Sequence, residues 1–181
     1  LMPSGIESTI MPKESKEFLR QKWSFPEGKK VVLFPNNPDD PRKNIQLLKD
    51  AIALLSTEDQ KLLELKVIYG VTHPEILEQL KASDFLFFAS MHEGSPNVVK
   101  EAIALDVPVI SVPVGDVPYR IGDIPGCFLT ETYKAEDFAN AIKSALSYDY
   151  EGYSSKVYVE PIEEAKLNLK LREIYKYILQ N

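Results

Sequence analysis

Five short apolar runs recur along the chain: Val31 to Phe34, Leu65 to Tyr69, Phe85 to Phe88, Val107 to Val112 and Cys127 to Thr130. They do not alternate apolar with polar residues, as a strand with one wet face does. Strands apolar on both faces belong in a parallel sheet covered by helices on both sides. The intervening segments supply those helices. Ile45, Leu47, Leu48, Ala51, Ile52 and Leu55 fall at helical spacing behind Asn44, a candidate cap. Thr72 and Glu75 have capping-box spacing, with Pro74 in the first turn, and predict a helix to about Ala82. Further helices are predicted over Pro96 to Leu105, Ala135 to Ser147 and Pro161 to Leu179. A polar one covers Pro12 to Trp23, with Phe18, Leu19 and Trp23 as candidate buried positions. The repeated order of strand and helix gives an α/β class, a Rossmann-like three-layer sandwich around a parallel sheet.

A chain of 181 residues suits one domain with a terminal appendage. The division is 1–10 as linker, 11–160 as the α/β domain and 161–181 as a C-terminal helix. Hydrophobic residues make up 44%, enough for a core and too many for a disordered chain. The formal net charge of −6 argues against a nucleic-acid partner, since gripping phosphates calls for a basic excess. A single cysteine, Cys127, cannot form an internal disulfide and fits a reducing cytosol. Its place in the run Cys127-Phe128-Leu129 reads as a buried core thiol. No apolar stretch approaches the roughly 20 residues that span a bilayer. The N-terminus lacks a signal-peptide pattern, and Leu-Met-Pro-Ser-Gly reads like a cut inside a longer protein.

In such sheets, ligands bind beyond the carboxyl ends of the strands, where strand order switches. The loops after strands one, three and four are therefore the places to seek chemistry. The richest is His92 to Glu101, HEGSPNVVKE. Ser95 is a good N-cap and Pro96 a good first helical residue. The helix they start points free N–H groups into the crevice, a setting that suits phosphate, and Gly94 lets a ligand approach the backbone. Glu101 lies roughly 7 Å along the axis from the helix start, about the reach from a terminal phosphate to a ribose. Glu93 and Glu101 could each accept two vicinal hydroxyls. By themselves they also read as ordinary surface acids, or as a glycosidase pair, because spacing in sequence fixes no carboxyl separation.

In the loop Pro35 to Asn44, PNNPDDPRKN, Arg42 and Lys43 stand at a helix start, where cations oppose the helix dipole unless an anion is near. That anion is either a bound diphosphate or the local Asp39 and Asp40. In Val112 to Tyr119, Gly115 permits close approach and Asp116 can cap a short helix. His73 and His92 have no spacing that suggests a metal site, and no serine shows a nucleophile elbow. The backbone of Tyr69 to Thr72 could meet a nucleobase edge, which makes Val71 and Thr72 candidates for donor binding.

The segment Glu93 to Ile121, EGSPNVVKEAIALDVPVISVPVGDVPYRI, resembles the signature of the retaining glycosyltransferases called group 1, or family 4. That signature is a glutamate, seven residues, a second glutamate, small residues, a V-P-V strand and a G-x-V-P turn. PRKNIQLLKDAIALL resembles the family's first loop and helix. SDFLFFAS resembles the strand before the first glutamate, and NLKLREIYKYIL the closing helix. PSGIE, Pro3 to Glu7, is similar to the entry into the C-terminal domain, with Glu7 where the family usually has aspartate. The resemblance covers nearly the whole chain. It implies one half of a GT-B fold, the donor-binding half, with residues 1–10 as the interdomain linker.

The resemblance further implies roles. Glu93 contacts the donor sugar's hydroxyls and Glu101 the ribose. Backbone N–H groups near Ser95 to Val98 hold diphosphate and sugar, so Gly94, Ser95, Pro96, Asn97 and Val98 line the donor. Lys43 neutralises the diphosphate. Many members place a Gly-Arg pair after the first strand, where this chain has Asn36 and Asn37, which leaves Arg42 as the substitute candidate for a second phosphate cation. Many also have glycine where Asp106 stands, a turn position.

The implied reaction moves a sugar from a nucleoside diphosphate sugar to an acceptor hydroxyl with retention, in polysaccharide or glycolipid biosynthesis, with no metal or other cofactor. The acceptor, a glycan or lipid-linked sugar, would bind through an N-terminal half that this chain lacks. The fragment alone would then bind nucleotide weakly and transfer little sugar. The full-length protein would be cytoplasmic, with room for peripheral association at the inner face of a membrane. Two other readings are a stand-alone nucleotide-sugar-binding module and a GT-B-fold sugar-nucleotide epimerase. A receiver-type signalling domain would need aspartates clustered at strand ends, which here carry asparagines, a serine and a proline instead.

Overall fold

A computed structural model describes residues 5–7, 10–159 and 164–180. Along the chain run α1 (Lys16–Lys22), β1 (Lys30–Phe34), α2 (Ile45–Ala53), α3 (Thr57–Leu62), β2 (Leu63–Val67), α4 (His73–Ala82) and β3 (Phe85–Phe88). Then follow α5 (Asn97–Ala104), β4 (Val109–Ser111), α6 (Val117–Ile121), β5 (Phe128–Leu129), α7 (Ala135–Ser147) and α8 (Glu164–Gln180). Short 3-10 turns fall at Pro41–Lys43 and Lys156–Tyr158.

The five strands form one parallel sheet in the order β2-β1-β3-β4-β5. Strand order reverses between β1 and β3, since the chain leaves β1 toward β2 and returns past it to β3. Right-handed crossovers then place α2 on one face and α4 and α5 on the other. The packing agrees: α2 lies against α7, while α4 packs on α1 and α5, and α5 on α6. The result is the three-layer Rossmann-like sandwich expected from the apolar runs.

Every residue of β3 is buried, as are Val31 to Phe34 of β1. Phe87 meets Phe138 of α7 edge to face, with ring centroids 5.6 Å apart. Full burial of side chains of this size contributes about 1.5–3 kcal/mol each. At the opposite end of the sheet from the strand-end loops, Asp84 accepts from Lys16, Arg20 and the Val31 N–H, which fastens α1 to β1.

Several elements differ from expectation. β2 occupies Leu63–Val67 rather than 65–69, because Ser56 caps the unforeseen α3 and the strand follows directly. Gly70, at φ 73°, turns the chain away after it. β2 is an edge strand and only half-buried, so its Glu64 and Lys66 are tolerated. β4 is shorter than Val107 to Val112, and β5 shorter than Cys127 to Thr130. Phe18 is 55% exposed, not buried, while Leu19 is fully buried. Asn44 precedes α2 in the left-handed region, at φ 56°, and its side chain makes no cap bond. Cys127 is half-buried rather than sealed in the core.

The linker reading of 1–10 and the predicted helix start at Pro161 lie partly outside the described residues. Of those described, Ile6 packs in the main core. α8 exposes Leu169, Tyr175, Tyr177, Ile178 and Leu179. Among the described residues no helix is long and apolar enough to cross a membrane.

Candidate functional site

Three neighbouring strands, β2, β1 and β3, end on the same side and hand the chain to loops 68–72, 35–44 and 89–96. Two of these loops are tied directly, where the Met91 N–H donates to the Arg42 carbonyl at 2.8 Å. Beside that tie, Lys43 Nζ donates to Glu93 Oε1 at 2.6 Å. The structure thus joins the cation and the first glutamate that the sequence placed 50 residues apart.

Arg42 behaves differently from Lys43. Its guanidinium forks back onto Asp40, with Nε to Oδ1 at 3.0 Å and Nη2 to Oδ2 at 2.7 Å. These hydrogen bonds hold the Asp40 carboxyl down to about 2. Of the two anion sources open in the sequence, Asp40 serves Arg42, while Lys43 pairs with Glu93.

α5 begins at Asn97, with Pro96 in the cap position, one residue later than expected. Ser95 is not the cap, because its hydroxyl is used elsewhere: it donates to Asp116 Oδ2 at 2.8 Å and accepts from Lys100 Nζ at 3.1 Å. Arg120 Nε donates to the same Asp116 oxygen at 2.9 Å. Lys100 is fully buried, and burial pulls its ammonium below the ordinary lysine range while Asp116 opposes the shift. This charged network lies directly under the turn that opens α5. It brings Lys100, Asp116 and Arg120 into the site's support. Only the four-residue step from Asp116 to Arg120 was a readable signal.

Gly115 fixes the same turn from the side. Its φ is +56°, and a Cβ there would lie 2.4 Å from the Gly94 carbonyl oxygen and 2.7 Å from that of Glu93. The Asp116 N–H donates to the Gly94 carbonyl at 2.9 Å. Close approach at Gly115 therefore serves the protein's own backbone, and it sets where Glu93 and Gly94 stand.

Glu101, buried on α5, has its Oε1 2.9 Å from His73 Nε2 on α4. Thr72 precedes α4, and Glu75 Oε2 accepts from both its N–H, at 2.8 Å, and its hydroxyl, at 2.7 Å. The Thr72 N–H is therefore committed to the cap, while Val71 is exposed beside it. Asn97 and Val98 form the first turn of α5. Among the described residues, three buried side-chain polar atoms have no hydrogen-bond partner: Asn36 Nδ2, Ser90 Oγ and Asp116 Oδ1. All three follow carboxyl ends of strands, so these buried polar atoms gather on the loop rim of the sheet. Among the described residues, no group of three or more His, Cys, Asp or Glu side chains comes together to hold a metal ion.

The parallel sheet and its strand order define a Rossmann-like α/β unit, and solved structures of GT-B glycosyltransferases superpose on it. Sucrose-phosphate synthase from Thermosynechococcus elongatus matches at TM-score 0.79 and 18% identity, over 99% of this chain and 52% of that one. WaaG, a glycosyltransferase involved in lipopolysaccharide biosynthesis, matches at TM-score 0.76 and 19% identity, over 96% and 55%. HepE from Anabaena, in complex with UDP and glucose, matches at TM-score 0.73 and 16% identity, over 96% and 55%. The chain thus spans about half the length of these structures. None of the curated proteins matches the sequence significantly. The chain belongs to the group 1 glycosyl transferases, whose family model matches residues 29–148. That span contains Lys43, His73, Glu93, Glu101 and Asp116.

Proposed function

We propose that this chain is the donor-binding half of a retaining glycosyltransferase and holds a nucleoside diphosphate sugar at the carboxyl ends of β1 and β3. The observation that carries the reading is the Lys43–Glu93 pair at the head of α5, with Glu101 further along the same helix. In this reading Glu93 accepts from the sugar's hydroxyls and Glu101 from the ribose. The N–H groups of the first turn of α5 and Lys43 meet the diphosphate. Arg42, paired with Asp40 and 73% exposed in its side chain, gives a second cation only by leaving that partner. Val71 and Thr72 flank the place for the base.

Transfer breaks the bond between the sugar's anomeric carbon and the diphosphate oxygen and forms one to the acceptor oxygen on the same face. Negative charge grows on the leaving diphosphate. Lys43 and the helix N–H groups are fixed before the reaction, so they stabilise that charge without reorganising. A leaving phosphate oxygen takes the acceptor's proton, and no side-chain base is required. The acceptor, a glycan or lipid-linked sugar, binds outside the residues described here. The similarity to WaaG and to HepE with UDP and glucose supports a polysaccharide or glycolipid setting and a nucleotide-sugar donor.

Calorimetry of the chain with uridine, guanosine and adenosine diphosphate sugars tests the reading. One of the three binds, and Glu101→Ala weakens it by about 1–3 kcal/mol as hydrogen bonds to a charged group are lost. Unchanged affinity in that variant would remove Glu101 from the site. Interconversion of free nucleotide sugars without acceptor would point to an epimerase instead.

A further inference from the structure

We propose that His73 is a positioning residue of the donor site, holding one oxygen of Glu101 so that the other is presented to the ribose diol. The inference rests on the donor reading above and adds a residue to it. His73 is the first residue of α4 and Glu101 lies within α5, so the contact bridges two helices that follow different strands. Nε2 stands 2.9 Å from Oε1. A carboxylate only accepts, so Nε2 carries the proton.

The two side chains differ sharply in exposure, at 50% for His73 and 8% for Glu101. Glu101 is thus sunk beneath the rim, and its partner is the residue that reaches it from the surface. A buried carboxylate needs its oxygens satisfied. Among the described residues, the second oxygen of Glu101 has no side-chain partner, while the first is taken by His73. A glutamate held at one oxygen keeps a fixed carboxylate plane, which presents the other at a constant angle to a pair of vicinal hydroxyls. The capping bonds from Thr72 to Glu75 hold the start of α4, and with it the imidazole, in place.

The test compares the chain with H73A, H73Q, E101A and the double variant H73A/E101A by calorimetry. The probes are whichever of UDP, GDP and ADP binds most tightly and its 2′,3′-dideoxy form. The unaltered chain prefers the ribonucleotide. H73A reduces that preference by about 3- to 10-fold, the worth of one hydrogen bond, with little change in affinity for the dideoxy form. H73Q restores much of the preference, because its amide can donate to Oε1. In the E101A background, removing His73 has no further effect. A full ribose preference in H73A overturns the inference and leaves the donor reading standing. A full preference in E101A, or no binding of any of the three diphosphates, defeats both. His73 is half exposed, so H73A and H73Q keep the fold, and thermal unfolding checks all four variants.

Discussion

Lys43 Nζ and Glu93 Oε1 lie 2.6 Å apart, with side chains 28% and 19% exposed, and their contact joins the loop after β1 to the loop after β3. In the proposed donor reading, the pair stands where diphosphate and sugar meet, and Glu93 competes with the diphosphate for the Lys43 charge.

Replacing Glu93 with glutamine separates the two roles. The diphosphate alone binds as well as before or tighter, by up to about 1 kcal/mol at low salt, because Lys43 is released. The nucleotide sugar loses its advantage over the diphosphate. Calorimetry with both ligands checks this, and an equal loss of affinity for both would contradict it.

Gly115→Ala destabilises the protein by about 2 kcal/mol or more, since alanine is strained in the left-handed region and its Cβ would strike the Gly94 carbonyl. The melting temperature falls by about 4–8 °C for a chain of this length. Gly94→Ala, with open space around the added carbon, leaves it within about 1–2 °C. Differential scanning calorimetry of the two variants distinguishes the positions.

Asp116 is the shared acceptor for Ser95 and Arg120, with Lys100 close behind. Asp116→Ala leaves Arg120 without its carboxylate and Ser95 without its acceptor, and costs about 2–4 kcal/mol in urea unfolding. Lys100→Met removes the desolvated charge itself and costs less than half as much. The opposite order would mean that the network is not organised around Asp116.

Burial raises the Cys127 thiol above the ordinary cysteine range, though its sulfur accepts from the Val109 N–H at 3.3 Å. A raised value means less thiolate at a given pH. Alkylation by iodoacetamide at pH 8 therefore runs at least about tenfold slower than for free cysteine and rises with pH beyond that point. Labelling followed by mass spectrometry reads the rate, and a rate equal to free cysteine's would contradict the burial.

How much of this was readable beforehand depended on the range of the interaction. α7 was expected at Ala135 to Ser147 and is found there, because Phe138, Ala139, Ala141, Ile142 and Ala145 repeat at helical spacing. β3 is four consecutive apolar residues with no competing assignment. The α3–β2 junction was missed because six polar-rich residues carry too little periodicity to show as a helix, and the strand was placed two residues late. At the site, residue types were legible and partners were not. Nothing in the sequence decided that Asp40 would take Arg42 and leave Lys43 for Glu93. Ser95 had the chemistry of a cap, yet Asp116, 21 residues on, claimed its hydroxyl. His73 and Glu101 are 28 residues apart and meet only because α4 and α5 pack together.

The amides at the start of α5 are the direct probe of the account. In a titration of the isotopically labelled chain with a nucleoside diphosphate, followed by amide chemical shifts, Ser95, Asn97 and Val98 should move most, with Lys43 and His73 beside them. Shifts concentrated instead around Lys30, Tyr150 and Tyr153, at the other end of the strands, would show that the rim loops do not receive the phosphates.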